Sequence, residues 1–142
     1  MKTSKQFVID LFTHLEAGHH DEFFRHVADN VNWQVMGTHP LAGIYHSKEE
    51  FFAHTFARLN KILQGGVVMK IHNILVIDSI AVVEMSQLSQ GINHKPFNNT
   101  YCWIVEFKGE IIVSVKAYLD SALVAQFVNE NESKICQGEH NV

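Results

Sequence analysis

The sequence predicts an α+β domain, a cone-shaped, curved antiparallel sheet wrapped around three N-terminal helices. Two observations predict it. Apolar residues recur mainly with the helical period up to Gly65-Gly66, and with the period of a strand in four long segments after it. The connections between those later segments are too short for a parallel crossover, which needs about a dozen residues or more, so neighbouring strands must run antiparallel.

The first helix is predicted over residues 3–17, where Phe7, Val8, Leu11, Phe12 and Leu15 fall three and four apart and Gly18 ends the pattern. A short second helix follows His19-His20-Asp21, burying Phe23, Phe24 and Val27, and Asp29-Asn30 breaks it. Val31, Trp33 and Val35 then alternate with Asn32, Gln34 and Met36 as a strand that stops at Gly37. Residues 38–46, with Pro40 and Gly43, read as a loop. Ser47-Lys48-Glu49-Glu50 is a capping box: the Ser47 hydroxyl can accept from the N–H three residues on, and Glu50 can reach back to the Ser47 N–H. A third helix therefore begins there and carries Phe51, Phe52, Phe56, Leu59, Ile62 and Leu63 as far as the Gly65-Gly66 pair.

Four strands are predicted next, at residues 67–77, 80–90, 97–107 and 110–119. Each is about ten or eleven residues long against a usual five or six, and strands of that length bend around an enclosed volume. Residues 122–128 read as a short closing helix. Residues 129–142 read as a frayed polar tail with little to bury, so that the domain comprises residues 1–128.

Composition narrows the function. The 142 residues are 46% hydrophobic and 18% charged, with eight Gly and two Pro, which excludes disordered and low-complexity classes. Eleven Lys and Arg stand against fifteen Asp and Glu, and no basic stripe is interleaved with aromatics, so nucleic acid is not an expected partner. No apolar run approaches the roughly 18 to 20 residues of a bilayer span, and no cleavable signal is visible; a cytoplasmic protein without a membrane partner is expected. Cys102 and Cys136 match no metal knuckle or redox pair and read as free thiols. The ten histidines lack the spacing of a metal site, and no phosphate loop or nucleophile elbow occurs, so neither metal nor cofactor is expected.

Two stretches carry a resemblance. Trp33-Gln34-Val35-Met36-Gly37-Thr38-His39-Pro40-Leu41-Ala42-Gly43-Ile44-Tyr45 follows the first strand, and Lys108-Gly109-Glu110-Ile111-Ile112-Val113-Ser114-Val115-Lys116-Ala117-Tyr118-Leu119-Asp120 forms the last. Set in the order α-α-β-α-β-β-β-β, they resemble the SnoaL-like branch of the nuclear-transport-factor-2-like superfamily, with its cystatin-like cone, over residues 3–128. Ketosteroid isomerase, scytalone dehydratase, limonene epoxide hydrolase and the SnoaL cyclases are similar in architecture. The resemblance implies a deep apolar pocket beneath the sheet, dimerisation through its outer face, and cofactor-free general acid–base chemistry or simple ligand binding.

This sequence departs from the catalytic pattern of those relatives. The isomerase base falls at Trp33 or Gln34 and its oxyanion acid near Trp103, none of them acidic. The acid-Tyr-x-Asp motif of the cyclases becomes Ala117-Tyr118-Leu119-Asp120, without its first acid, and Asp120 reads as the cap of the closing helix.

Trp33, Val35, Met85, Gln87, Asn99, Tyr101, Trp103 and Leu119 are the expected substrate-binding residues, with Gln87 and Asn99 as polar groups that orient a ligand. The expected catalytic groups are His39, whose imidazole titrates near neutral pH, and Tyr45, a donor to a developing oxyanion. Each has a plainer reading: His39 bonded to its own loop, Tyr45 a packed aromatic. Glu84 alternates with Val83 and Met85 and should face outward. The expected function is a pocket for a small apolar molecule carrying oxygen. It serves either a cofactor-independent isomerase, cyclase or dehydratase, or a non-catalytic binding or association module that has lost the acids, and the enzyme question stays open. A homodimer is expected, through an outer face bearing Val82, Ile104 and Ile112.

Overall fold

The computed structural model describes residues 2–140, and the side chains of residues 2–135. Helix α1 (Lys5–Glu16) starts at Ser4, whose Oγ accepts from the Phe7 N–H at 3.0 Å, and buries Val8, Leu11, Phe12 and Leu15. After α2 (His20–Arg25) come β1 (Val27–Val35) and β2 (Gly43–Tyr45). Helix α3 (Lys48–Phe51), a π-helical turn (Phe52–Phe56) and α4 (Ala57–Ile62) then form one continuous rod. Strands β3 (Leu63–Gln64), β4 (Met69–Ile77), β5 (Ile80–Gly91), β6 (Pro96–Lys108) and β7 (Ile111–Leu119) lead to α5 (Ser121–His140).

The strands form one α+β sheet in the order β2-β1-β7-β6-β5-β3, with β4 also paired to β5. All pairings are antiparallel except β1 with β7, which is parallel, so the sheet is mixed. Its curvature comes from three register shifts, in β1 between Val27 and Asn32, in β4 between Ile71 and Asn73, and between β6 and β7 beside Glu106 and Phe107.

The last shift corrects an expectation. Glu106 pairs with Ser114 but Phe107 pairs with Ile112, so Val113 is the extra residue of a bulge and Ile112 turns inward, where it is fully buried. Strict alternation had placed Ile112 on the outer face.

Other expectations shift at element ends. Strand β1 begins at Val27, because Val27 pairs with Ile112 instead of closing α2. Residues 43–45 form a strand inside the expected loop, since Gly43, Ile44 and Tyr45 pair with Val35, Gln34 and Trp33. The capping box is displaced by one residue: Ser47 Oγ accepts from the Glu50 N–H at 3.0 Å, while Glu50 Oε2 accepts from the His46 N–H at 3.4 Å.

The largest difference lies at the C-terminal end, where α5 continues to His140 in place of a tail beginning at residue 129. Asn131 accounts for part of it. Its Oδ1 accepts from the Asn93 N–H at 3.0 Å in the β5–β6 turn, and its Nδ2 donates to the Phe127 carbonyl at 2.8 Å. The Arg58 guanidinium adds a two-pronged pairing with Glu132, at 2.8 and 3.1 Å, which ties α4 to α5. Asn141 and Val142 lie outside the described residues, and so does the side chain of Cys136. Cys102 is a free thiol on the outer side of β6. Among the described residues no helix is long and apolar enough to cross a membrane.

The core lies between the inner face of the sheet and the helices and is built largely of rings. Trp33 of β1 stacks on Phe51 of α3 with centroids 3.8 Å apart, and Trp103 of β6 meets Trp33 edge to face at 5.2 Å. Each fully buried large apolar side chain of this kind contributes about 1.5–3 kcal/mol.

Gly91 marks where α5 seats on the sheet. A Cβ there would lie 2.5 Å from Phe127 Cε2 and 2.8 Å from Asn131 Oδ1. Gly91→Ala is therefore expected to cost about 1–3 kcal/mol, the usual penalty of overpacking, read as a lowered urea midpoint.

Candidate functional site

A cavity of about 60 Å³ opens between the sheet and the π-helical rod. Its floor is the inner face of β1, β6 and β7: Trp33, Val35, Tyr101, Trp103, Ala117 and Leu119. Period-two alternation turns these residues inward, and the small Ala117, paired with Val35 on one side and Trp103 on the other, leaves the space between them open. The roof is Phe51, Thr55, Phe56 and Leu59 of the rod. Thr55 Oγ1 donates to the Phe51 carbonyl at 2.6 Å, within the π turn that displaces this part of the helix.

The loop between β1 and β2 adds His39 and Leu41 to the wall. Gly37 enables it, holding φ at +113° where a Cβ would lie 2.5 Å from Ser121 Oγ and 2.9 Å from the His39 ring. Ser121 Oγ accepts from the Thr38 N–H at 3.0 Å, so the loop is tied to the start of α5. Inside it the His39 imidazole lies 2.9 Å from the Met36 carbonyl through Nε2 and 3.1 Å from the Leu41 N–H through Nδ1. A carbonyl can only accept and a main-chain N–H only donate, so these partners assign the neutral Nε2–H tautomer.

The His39 ring is buried and lines the cavity with both nitrogens engaged by backbone. That is the plainer of its two sequence readings, and it leaves no nitrogen to exchange a proton with a ligand. Tyr45 is likewise buried but outside the cavity wall, its hydroxyl donating to the Leu41 carbonyl at 2.8 Å. Burial pushes the Tyr45 hydroxyl above its usual value and the His39 imidazole below its own, the latter opposed by the bond to Met36.

Of the expected binding residues, Trp33, Val35, Tyr101, Trp103 and Leu119 meet in the cavity wall. Met85, Gln87 and Asn99 are fully buried on the same face of the sheet but lie outside that wall. Asn99 Oδ1 accepts from the Asp120 N–H at 3.1 Å, and Asp120 Oδ1 accepts from the Leu123 N–H at 3.1 Å, so Asp120 caps α5. Glu84 faces outward and accepts from Asn73 Nδ2 at 3.1 Å. Burial drives the Tyr101 hydroxyl far above its usual value, opposed by a side-chain bond with Asn99. Sequence reasoning missed Leu41, Val67, Met69, Ala117, Val124 and the roof residues. The rod's apolar stripe does not distinguish side chains that touch a cavity from those that touch core, and the π turn leaves no periodicity signal.

With this geometry in view, likeness to known proteins is informative. No protein-family model matches the chain. It is 24% identical over 135 residues to the dimerizing cyclase phiC of a fungal species, covering 91% of this chain and 58% of that protein. The chain thus spans little more than half the length of this curated relative. Among solved structures, an NTF2-like protein of Burkholderia thailandensis superposes with a TM-score of 0.76 at 22% identity, over 89% of this chain and 98% of the other. A protein of ketosteroid isomerase-like fold from Catenulispora acidiphila, in complex with trimethylamine, gives 0.68 at 14% identity, over 89% and 95%. The fold is therefore that of the NTF2-like and ketosteroid isomerase-like proteins, as the two sequence stretches implied.

The neutral state of His39 gives a pH dependence. Its folded pKa lies below the ordinary 6.5. Below that value the unfolded chain binds a proton that the folded chain refuses, so stability present above it is lost as pH falls toward the folded pKa. Between about pH 7.5 and about pH 5.5 the urea midpoint of the native chain should fall more than that of His39→Gln, which keeps a donor for the Met36 carbonyl and does not titrate.

Proposed function

We propose that the chain is a pocket protein for a small apolar molecule bearing oxygen, and that it works as a binding module and not by general acid–base catalysis. The observation that carries this reading is the double engagement of the His39 ring by Met36 and Leu41. Among the described residues no carboxylate lines the cavity, and the other titratable group in its wall, Tyr101, is held neutral. Where the resembled enzymes place acids, this cavity has Trp33, Trp103 and Ala117. The trimethylamine bound to the Catenulispora acidiphila protein supports small-molecule occupancy of this kind of fold.

Ala117 supplies the test. A thermal-shift screen of apolar ketones, esters and lactones should raise the Tm of the native chain, since a ligand at a hundred times its Kd adds about 2.7 kcal/mol. Ala117→Leu, which fills the cavity, should keep the fold and abolish the shift; an unchanged shift in that variant would place the ligand elsewhere.

The curated relative favours a second reading, a cyclase whose cavity aligns its substrates and polarises them. Product formed in the presence of native chain, and lost in Ala117→Leu, would support it.

The proposal includes a homodimer formed through the outer face of the sheet. One rung crosses that face from edge to edge as Ile44, Gln34, Lys116, Ile104, Val82 and Leu75. Ile44, Ile104 and Leu75 are exposed on it. Sedimentation at micromolar concentration should show a dimer for the native chain and a monomer for Ile104→Lys. A cytoplasmic, reducing setting completes the proposal, in keeping with the free Cys102.

A further inference from the structure

Every nitrogen and oxygen on the side chains of the cavity wall is either engaged or closed off. His39 meets the Met36 carbonyl through Nε2 and the Leu41 N–H through Nδ1, and Thr55 Oγ1 donates to the Phe51 carbonyl. The Tyr101 hydroxyl bonds with Asn99, which lies outside the wall. The indole nitrogens of Trp33 and Trp103 are buried against neighbouring atoms and present no open surface to the space. What faces the interior is carbon, together with the thioether of Met69.

The space is also small. Its volume of about 60 Å³ is about twice the roughly 30 Å³ that one water molecule occupies in the liquid. A water molecule held there needs two to four polar partners and would find none, so the interior favours hydrocarbon over water. The same lack bars a hydroxyl, carbonyl or carboxylate of a guest, each of which would give up its hydration for no bond.

The surrounding rings keep the space from widening. Trp33 in the floor is stacked on Phe51 at 3.8 Å and abutted by Trp103 at 5.2 Å. Phe56 in the roof packs against Phe24 at 5.1 Å and Phe52 at 5.4 Å. Val124 enters the wall from α5, whose later turns are tied down by Asn131 and by the Arg58–Glu132 pair. Close-packed rings of this kind yield to added volume only by moving one another.

Building on the pocket-binding reading above, we propose that the cavity receives only the hydrocarbon end of its ligand, a terminus of about two or three carbons such as an ethyl or isopropyl group, and that the ligand's oxygen stays outside in water. The ligand class is a short aliphatic alcohol, ketone or ester whose oxygen is set back from that end. Size and polarity then select separately. The walls exclude a ring or a tert-butyl end, and the absence of a hydrogen-bond partner excludes a terminus that itself carries oxygen.

The experiment titrates the full chain, labelled with ¹³C in its methyl groups, and reads the signals of Leu59, Ala117 and Val124. Four probes are used: xenon, isoamyl alcohol, the analogue of that alcohol with a tert-butyl end, and the analogue in which a hydroxyl replaces one terminal methyl. Xenon and isoamyl alcohol are expected to move the same methyl signals. The tert-butyl and hydroxylated analogues should each bind about tenfold more weakly than isoamyl alcohol, or worse. Val35→Ala and Ala117→Gly both widen the cavity, and either should recover binding of the tert-butyl analogue without recovering the hydroxylated one.

Equal affinity for isoamyl alcohol and its tert-butyl analogue would overturn the size limit and with it the inference. Equal affinity for the hydroxylated analogue would overturn it by showing a polar partner in the wall. A response to xenon with none to isoamyl alcohol would overturn it as well, leaving a cavity closed to such ligands. Silence of the methyl signals toward all four probes would overturn the pocket reading itself, a result distinct from binding without preference.

Discussion

The face-to-face contact of Trp33 with Phe51 is the joint at which the helical rod meets the sheet, and the space of the cavity depends on it. Trp33 comes from the strand that completes the sheet by parallel pairing with β7, and Phe51 from the last turn before the helix widens into its π segment. A ring of this size fixes the separation of the two layers. Where Trp103 abuts it edge to face the layers are filled, and on the rung where Ala117 stands between Val35 and Trp103 they are not. The cavity follows from unequal side chains within that rung of the floor, with a roof already set at the height of an indole.

The loop between β1 and β2 makes a chemical trade. An imidazole there could serve a reaction only if one nitrogen were free. The chain instead uses both nitrogens to tie Met36 to Leu41 within a turn too tight for any residue but glycine at position 37. Tyr45 is used the same way, its hydroxyl holding the Leu41 carbonyl from the other side. The loop is thereby stiffened by the groups that proton transfer would require.

Much of this was legible in the amino-acid order, for reasons particular to each element. The four long strands declare themselves because Val, Ile and aromatic residues fill them between short turn segments, and in β6, where apolar and polar residues alternate most regularly, the inward face with Tyr101 and Trp103 follows from parity. Parity fails only where the backbone adds a residue, as at Val113, and there it misplaces Ile112. The parallel pairing of β1 with β7 joins segments some eighty residues apart, and no local pattern signals it. The extension of α5 escaped because a polar helix looks like a tail until Asn131 meets the turn at Asn93. In the site itself, residue type pointed to His39 and Tyr45, but only coordinates show that their polar atoms are already taken.

The two indoles, lying edge to face at 5.2 Å in the cavity wall, carry one more consequence, which is optical. They are the only tryptophans of the chain, and at that separation they share their electronic excitation instead of absorbing and emitting independently. Their near-ultraviolet dichroism and their emission therefore report on a single place in the molecule. Light absorbed anywhere on this pair reads the state of the cavity floor, so the protein carries its own dye there.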